Sequence, residues 1–439
     1  MKTFEYPKTE YKGFSLKLAR AGRAALGLGP YLKKYAWFIF LGIVGFLLAA
    51  IWAIGAYLNP WLEAHGLWLL RDIIVVVGIL CFISLVAMVG IWGERKVSGR
   101  IQSRLGPMRT GGWHGWSQSL ADGLKFVQKE DLIPASADRI LFRIAPHLAL
   151  IPPICAFAAI PFGLGWVFKQ QDAALLFVLA MLGIEVLGVI LGGWASNSKW
   201  SLYGAMREAC QLVSYEIPMG LSLLVGVTAV GTIDLVKMGE AQRAGWFSWL
   251  IFANPFSFIA FFTYYIAALA SCKRAPFDLP EGESELVAGF HTEYSGFRFV
   301  MFFFAEYAAM FAVSALAAII FLGGWHTPWG GSESPLWLVL KGGFLVWVQM
   351  WLRWTLPRIR IDQVMHACVK YLLPLTMLLF VAGAGWQLLG SGSWNYVVRF
   401  ILGLLGLGLV GLFIAGIAYG IRQRDKLVGR LARKALPGS

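Results

Sequence analysis

The chain has 439 residues, 58% of them hydrophobic and only 14% charged, with 20 tryptophans and a net charge of +14. Soluble domains are nearer ~45–50% apolar and ~25% charged, so the composition excludes an ordinary soluble protein and makes the bilayer the solvent. The basic residues fall in short stretches between apolar runs and not on a folded basic face, which argues against a nucleic-acid partner.

Residues 1–35 carry eight Lys and Arg with no apolar core beside Met1, so no cleavable leader is expected and the first apolar run stays in the membrane. Crossing the hydrocarbon core takes about 20 apolar residues. Ten runs qualify, at 36–58, 72–93, 143–167, 173–194, 212–231, 247–271, 299–323, 336–352, 372–390 and 396–421. The expected fold class is therefore an all-α polytopic membrane protein of about ten transmembrane helices, with both termini on one side.

Segments 1–35, 94–143, 195–211, 272–298, 353–370 and 421–439 hold 32 of the 38 Lys and Arg. The positive-inside rule places these segments of a multi-pass protein in the cytoplasm, both termini included. The opposite loops, such as Asn59-Pro60-Trp61 and Trp325-His326-Thr327-Pro328-Trp329, are short and carry Trp at the boundary.

The first internal loop, about 94–142, is longer than a connector needs. A span runs straight into Gly93-Glu94-Arg95-Lys96, followed by Arg100, Arg104 and the turn Gly106-Pro107. Charge alone also fits a stop-transfer flank, but that leaves Glu94 and the Gly-Pro turn unexplained. Further on, Leu120, Leu124 and Val127 fall at helical spacing with Asp122 and Lys125 off the stripe, which predicts an amphipathic helix in the interface plane.

The loop from Arg274 to Leu286 runs against the basic trend. Asp278, Glu281, Glu283 and Glu285 crowd it, with Glu293 just beyond. Such carboxylates raise one another's pKa and titrate as a group, although a solvated acidic loop has the same composition. Glu306 and Glu216 lie within spans, where a carboxylate is costly and marks an ion or proton path; Glu185 is a third, for which a neutral, locally hydrogen-bonded side chain is the competing reading. The five cysteines are scattered, so no disulfide framework or Cys-rich metal site is encoded.

Taken together, these segments resemble the NuoH-type, quinone-chamber membrane subunit of respiratory complex I, the proton-pumping NADH:quinone oxidoreductase. The resemblance rests on Gly93-Glu94-Arg95-Lys96, Arg104-Leu105-Gly106-Pro107, Ala121-Asp122-Gly123-Leu124-Lys125, Lys129-Glu130-Asp131-Leu132-Ile133-Pro134, Ser214-Tyr215-Glu216, Arg274-Ala275-Pro276-Phe277-Asp278, Glu281-Gly282-Glu283-Ser284-Glu285-Leu286, Glu293-Tyr294-Ser295-Gly296 and Ala305-Glu306-Tyr307, in the family's order within 72–390. It implies a subunit without redox centres that docks the peripheral arm and encloses the membrane end of a quinone tunnel.

By motif position the resemblance puts Glu94, Arg95, Arg104, Asp122, Arg274 and Phe277 along the quinone passage. It puts Glu185, Glu216, Asp278, Glu281, Glu283, Glu285, Glu293 and Glu306 in an acidic funnel coupling quinone chemistry to protons. Quinone is then the substrate, with no covalent cofactor here; NADH, FMN and iron–sulfur clusters belong to partner subunits. The implied partners are the other complex I subunits and membrane lipid. Family members usually have eight spans, so 1–71 is expected to be an added basic arm and span, 72–390 the family core, and 391–439 an added span and basic tail. Two further readings are the related subunit of an energy-converting hydrogenase and an independent ion transporter; the full acidic loop favours the quinone enzyme, and no internal inverted repeat favours a transporter.

Overall fold

The structure is a computed structural model that describes residues 59–388 apart from residue 112, with isolated positions between 397 and 408. The expected spans at 36–58 and 396–421 lie outside the described residues, apart from those isolated positions. Between them every named element is helical, and no β-strand occurs among the described residues. Seven helices are long and apolar enough to cross a membrane: α1 (Trp68–Ile101), α3 (Arg139–Ala156), α4 (Ala174–Ala195), α5 (Lys199–Val230), α7 (Gly296–Phe321), α8 (Pro335–Thr355) and α9 (Ile361–Gln387). A shorter apolar helix, α6 (Pro255–Ser271), falls in the expected run 247–271. Between α1 and α3 lies α2 (Gln118–Gln128).

Local chemistry explains where these helices depart from the hydropathy runs. The run 247–271 is broken because Asn254 caps Ser257 N at 2.6 Å and Pro255 takes the first helical position, which limits α6 to its second part. The run beginning at 143 starts earlier, at Arg139, because the Asp138 carboxylate accepts from Ile140 N and Leu141 N. At the end of α5, Gly231 takes φ +81°, a left-handed stop that favours glycine. Two helices outrun the bilayer: α1 continues through Glu94-Arg95-Lys96 to Ile101, and α5 begins at Lys199, well before the apolar run at 212. Both polar extensions carry residues of the site.

The chain forms two compact units, one running to Leu132 with Ser295–Val300, the other Ile133–Tyr294 with Met301 onward. In the first, α2 packs on α1. None of the α2 residues is buried among the described residues, and Leu120, Leu124 and Val127, the apolar stripe at helical spacing, are all more than half exposed.

In the second unit α5 packs against α4, α6 and α9, and α4 also against α3. The most buried helix is α7, with 89% of its apolar stretch covered. Its neighbours are held by hydrogen bonds where no water competes: Tyr264 donates to Val313 O at 2.8 Å, Tyr265 to Leu345 O at 2.6 Å, and Gln349 to Ser314 Oγ at 3.2 Å. The C-terminal end of α7 is fastened twice. The buried Gln242 amide donates to Met238 O, Ile319 O and Ile320 O and accepts from Leu250 N and Gly323 N. Lys341 of α8 donates to Leu322 O, Gly324 O and His326 O at 2.7–2.9 Å, with its ammonium 4.4 Å over the Trp249 ring.

Candidate functional site

The second unit gathers a cluster of buried charged residues beside Glu306, in the N-terminal half of α7. After α6 ends, Lys273 adopts φ +54°, a left-handed conformation that an ordinary side chain adopts only at a cost. That turn buries two consecutive cations, Lys273 and Arg274, at 4% and 1% exposure. Lys273 Nζ donates to Glu185 Oε1 of α4 at 3.0 Å and lies 3.8 Å from Glu208 Oε1 of α5. Arg274 Nε is 2.5 Å from Glu306 Oε1 of α7, and its guanidinium lies 4.7 Å from the Tyr307 ring centre. Here two cations, contributed by neighbouring residues, hold three helices together.

The following loop adds a third acid–base pair, His291 Nε2 with Glu281 Oε1 at 3.1 Å. Glycines allow the loop to lie directly on α5. A Cβ on Gly204 would come 2.7 Å from Phe290 N and 2.8 Å from Pro280 O, and Gly289 has φ +54°. Gln211, fully buried on α5, donates to Ala270 O at 2.8 Å and Phe277 O at 3.0 Å, pinning the loop's entry. A narrow cavity just large enough for a single water is lined by Glu185, Lys273, Glu281, His291 and Glu306.

Electrostatics split the loop carboxylates. Burial, and then the neighbouring Glu281, push Asp278 up to about 6. Burial also acts to raise Glu281, but the His291 hydrogen bond and charge, with Arg353 and Arg274, outweigh it and hold Glu281 down at about 2. Two acids from one loop are thus driven apart, one kept ionised and one poised to accept a proton near neutrality. Glu285 is at the rim, 2.6 Å from Arg207, whose hydrogen bond lowers its pKa.

Of the residues expected in the funnel, the structure brings Glu185, Glu281 and Glu306 to one cavity, with Asp278 half-buried and close enough to Glu281 for their charges to interact. Glu216 stands apart, exposed on α5 over Gly183, where a Cβ would meet its Oε1 at 3.2 Å. Glu293 is half-buried, and the side chain of Glu283 lies outside the described residues. Arg274 belongs with the buried carboxylates, and Phe277 is buried at the loop's entry. Sequence reading misses Glu208, Lys273, Gln211 and His291. The signal that could find the first and third is helical: Ser201, Gly204, Glu208, Gln211 and Tyr215 recur at three- and four-residue steps and are all buried, but 195–211 reads as loop when only hydropathy is followed.

In the first unit the site residues form a polar network. Arg95 of α1 pairs with Asp122 of α2. Gln118 donates to Asp122 Oδ1 at 3.0 Å, and Thr110 to Gln118 Oε1 at 2.6 Å. The Arg104-to-Pro107 turn folds back on α1, where Arg104 N donates to Gly99 O at 2.8 Å and the Lys96 ammonium donates to Pro107 O. Glu94 is buried within α1, while Arg104 is exposed. Among the described residues no group of three or more His, Cys, Asp and Glu has the arrangement of a metal site.

Residues 73–384 match the family described as NADH dehydrogenase. The chain is 45% identical over 350 residues to the H-type subunit of the NADH-quinone oxidoreductase of Chlorobaculum parvum, covering 75% of this chain and 97% of that one. It is 39% identical to the corresponding NADH-quinone oxidoreductase subunit of Anaeromyxobacter dehalogenans, over 85% of this chain and 95% of that one. The corresponding subunit of Geobacillus kaustophilus is 44% identical, over 74% and 98%.

Proposed function

The chain belongs to the NADH dehydrogenase family, as the H-type membrane subunit of NADH-quinone oxidoreductase, respiratory complex I, and from that premise we propose that it encloses the membrane end of the quinone tunnel and couples quinone reduction to proton movement. The observation that carries this reading is the burial of Lys273 and Arg274 against Glu185, Glu208 and Glu306 from three membrane helices. With Asp278 and Glu281 beside them, the carboxylates outnumber the fixed cations, and bound protons neutralise the excess. A change of charge nearby redistributes those protons.

In this reading the Arg95–Asp122 network, with Glu94 and Arg104, borders the quinone passage. Glu185, Asp278, Glu281, Glu283, Glu285, Glu293 and Glu306 respond to the charge change, together with Arg274 as their counterion, and Glu216 passes the response outward to membrane partners. Phe277 packs at the entry of the loop. Peripheral subunits carry NADH, FMN and iron–sulfur chemistry, and this chain anchors them to a bacterial inner membrane with both termini cytoplasmic. The core of 72–390 does this work, flanked by the added arm and tail. The relatives named above are subunits of the quinone enzyme, which favours this reading over the hydrogenase.

The test is substitution of Glu216 and of Glu306 by Gln in the assembled complex. Both variants should assemble and show depressed quinone reduction with proton pumping reduced alongside it. Wild-type turnover and pumping in both would overturn the reading.

A further inference from the structure

The cavity on which Glu185, Lys273, Glu281 and Glu306 converge has one more titratable wall, His291. Glu281 is the most accessible of the three cavity carboxylates, at 13% side-chain exposure against 5% for Glu185 and 6% for Glu306. His291 Nε2 is on Glu281 at 3.1 Å, and both side chains line the cavity. The ring's orientation is fixed by aromatic neighbours. Phe303 stacks on it at 5.4 Å and 17°, Phe302 meets it edge-on at 5.5 Å, and the Phe290 ring centre lies 3.8 Å away. A ring held in this way keeps its two nitrogens in two constant directions.

An imidazole can receive a proton on one nitrogen while giving one up from the other, which a carboxylate does only by rotating. We propose that His291 is a relay through which protons pass between the loop carboxylate Glu281 and the buried carboxylates Glu185 and Glu306, with water in the cavity as the second carrier. The proposal rests on the proton-coupling reading above. In the outward step the neutral ring, which carries its proton on Nε2, takes a second proton at Nδ1 from a cavity water, and that water is replenished from a protonated Glu306 or Glu185 that becomes a carboxylate. The resulting imidazolium gives its Nε2 proton to the Glu281 carboxylate, which hands it on to the loop side and returns to its ionised form. One proton moves the length of the path and no bond between heavy atoms changes. Lys273 and Arg274 from the loop after α6, with Arg353 from α8, are the cations around it, and they bias each proton's resting place without carrying it. The competing view gives His291 the sole task of fixing the Glu281 rotamer.

His291→Gln keeps an amide for Glu281 and cannot carry a proton. In inverted vesicles holding the full complex, this variant should assemble at wild-type level. Quinone reduction should fall more than about tenfold, as removal of a positioned proton-transfer group does, and proton uptake should fall with it. Its pH–turnover profile should lose one ionisation that Phe303→Leu, a packing change beside the same ring, retains. Glu281→Gln and Glu306→Gln are measured in parallel. If they depress turnover while His291→Gln runs at wild-type rate with the wild-type profile, the relay is overturned and the coupling reading stands. If neither Glu variant has an effect, the coupling reading itself falls. Should His291→Gln fail to assemble, His291→Asn takes its place; failure of both assigns the ring to packing and overturns the relay.

Discussion

Lys273 and Glu185, 88 residues apart in sequence, share a 3.0 Å hydrogen bond in which neither side chain is more than 5% exposed. A buried pair of this kind adds little net stability over apolar packing, but removing one partner strands the other. Lys273→Met should therefore destabilise the folded chain by about 3–5 kcal/mol, with Glu208 left uncompensated as well. Adding Glu185→Gln should recover part of the loss. Thermal melting of the solubilised complex for wild type and the two variants checks both statements; a single substitution as mild as the double would contradict them.

Asp278 gives a pH dependence of definite sign. Its folded-state pKa is raised from 3.8 to about 6, so the folded chain holds the proton more tightly than the unfolded chain does. The benefit of that proton is complete below 3.8 and is lost as pH rises through about 6, a change of about 3 kcal/mol if realised in full. Asp278→Asn removes the ionisation, so the variant should melt above wild type at a pH of about 7.5, beyond the raised pKa. The gap should close as pH falls below about 5. A constant gap across this range would show that Asp278 does not titrate in it.

Gly204 sets the distance between α5 and the acidic loop. Gly204→Ala places a methyl 2.7 Å from Phe290 N and 2.8 Å from Pro280 O, both backbone atoms that cannot rotate away. The expected cost is about 1–3 kcal/mol, with quinone turnover per assembled complex reduced because Glu281 and His291 move with the backbone. Gly220→Ala on the same helix meets nothing within 4 Å and is the control. Equal melting and turnover in the two variants would show that the loop is free to give.

The Arg95–Asp122 pair is 44% and 19% exposed, and such pairs contribute about 0–1 kcal/mol. Arg95→Gln and Asp122→Asn should thus leave melting nearly unchanged. If the pair borders the quinone passage, the KM for a soluble quinone should rise several-fold in both variants. Unchanged KM would remove the pair from that passage.

The membrane helices are legible in the sequence because bilayer length and apolar content constrain them together, and the eight runs between 72 and 390 each overlap a helix, seven of them long and apolar enough to cross a membrane. Their polar ends are not. Hydropathy stops at Gly93 and at Leu212, whereas hydrogen bonding carries α1 on to Ile101 and begins α5 at Lys199. The missed members of the site, Glu208 and Gln211, lie on that hidden turn. Lys273 is missed for a different reason: a lysine at a span's end reads as a topology signal, and only tertiary packing shows it buried between two carboxylates. Of the two clearest intramembrane carboxylates by pattern, Glu306 falls in the buried cluster and Glu216 stands outside it, since pattern reports depth along a helix and not the face it presents.

The two fastenings at the C-terminal end of α7, the Gln242 amide and the Lys341 ammonium, act on the end opposite the loop that carries Glu281 and His291. On the coupling reading proposed above, a change of charge at Glu306 would act far from the end that Gln242 and Lys341 hold, so displacement of α7 should be greatest near Glu306 and least at Leu322.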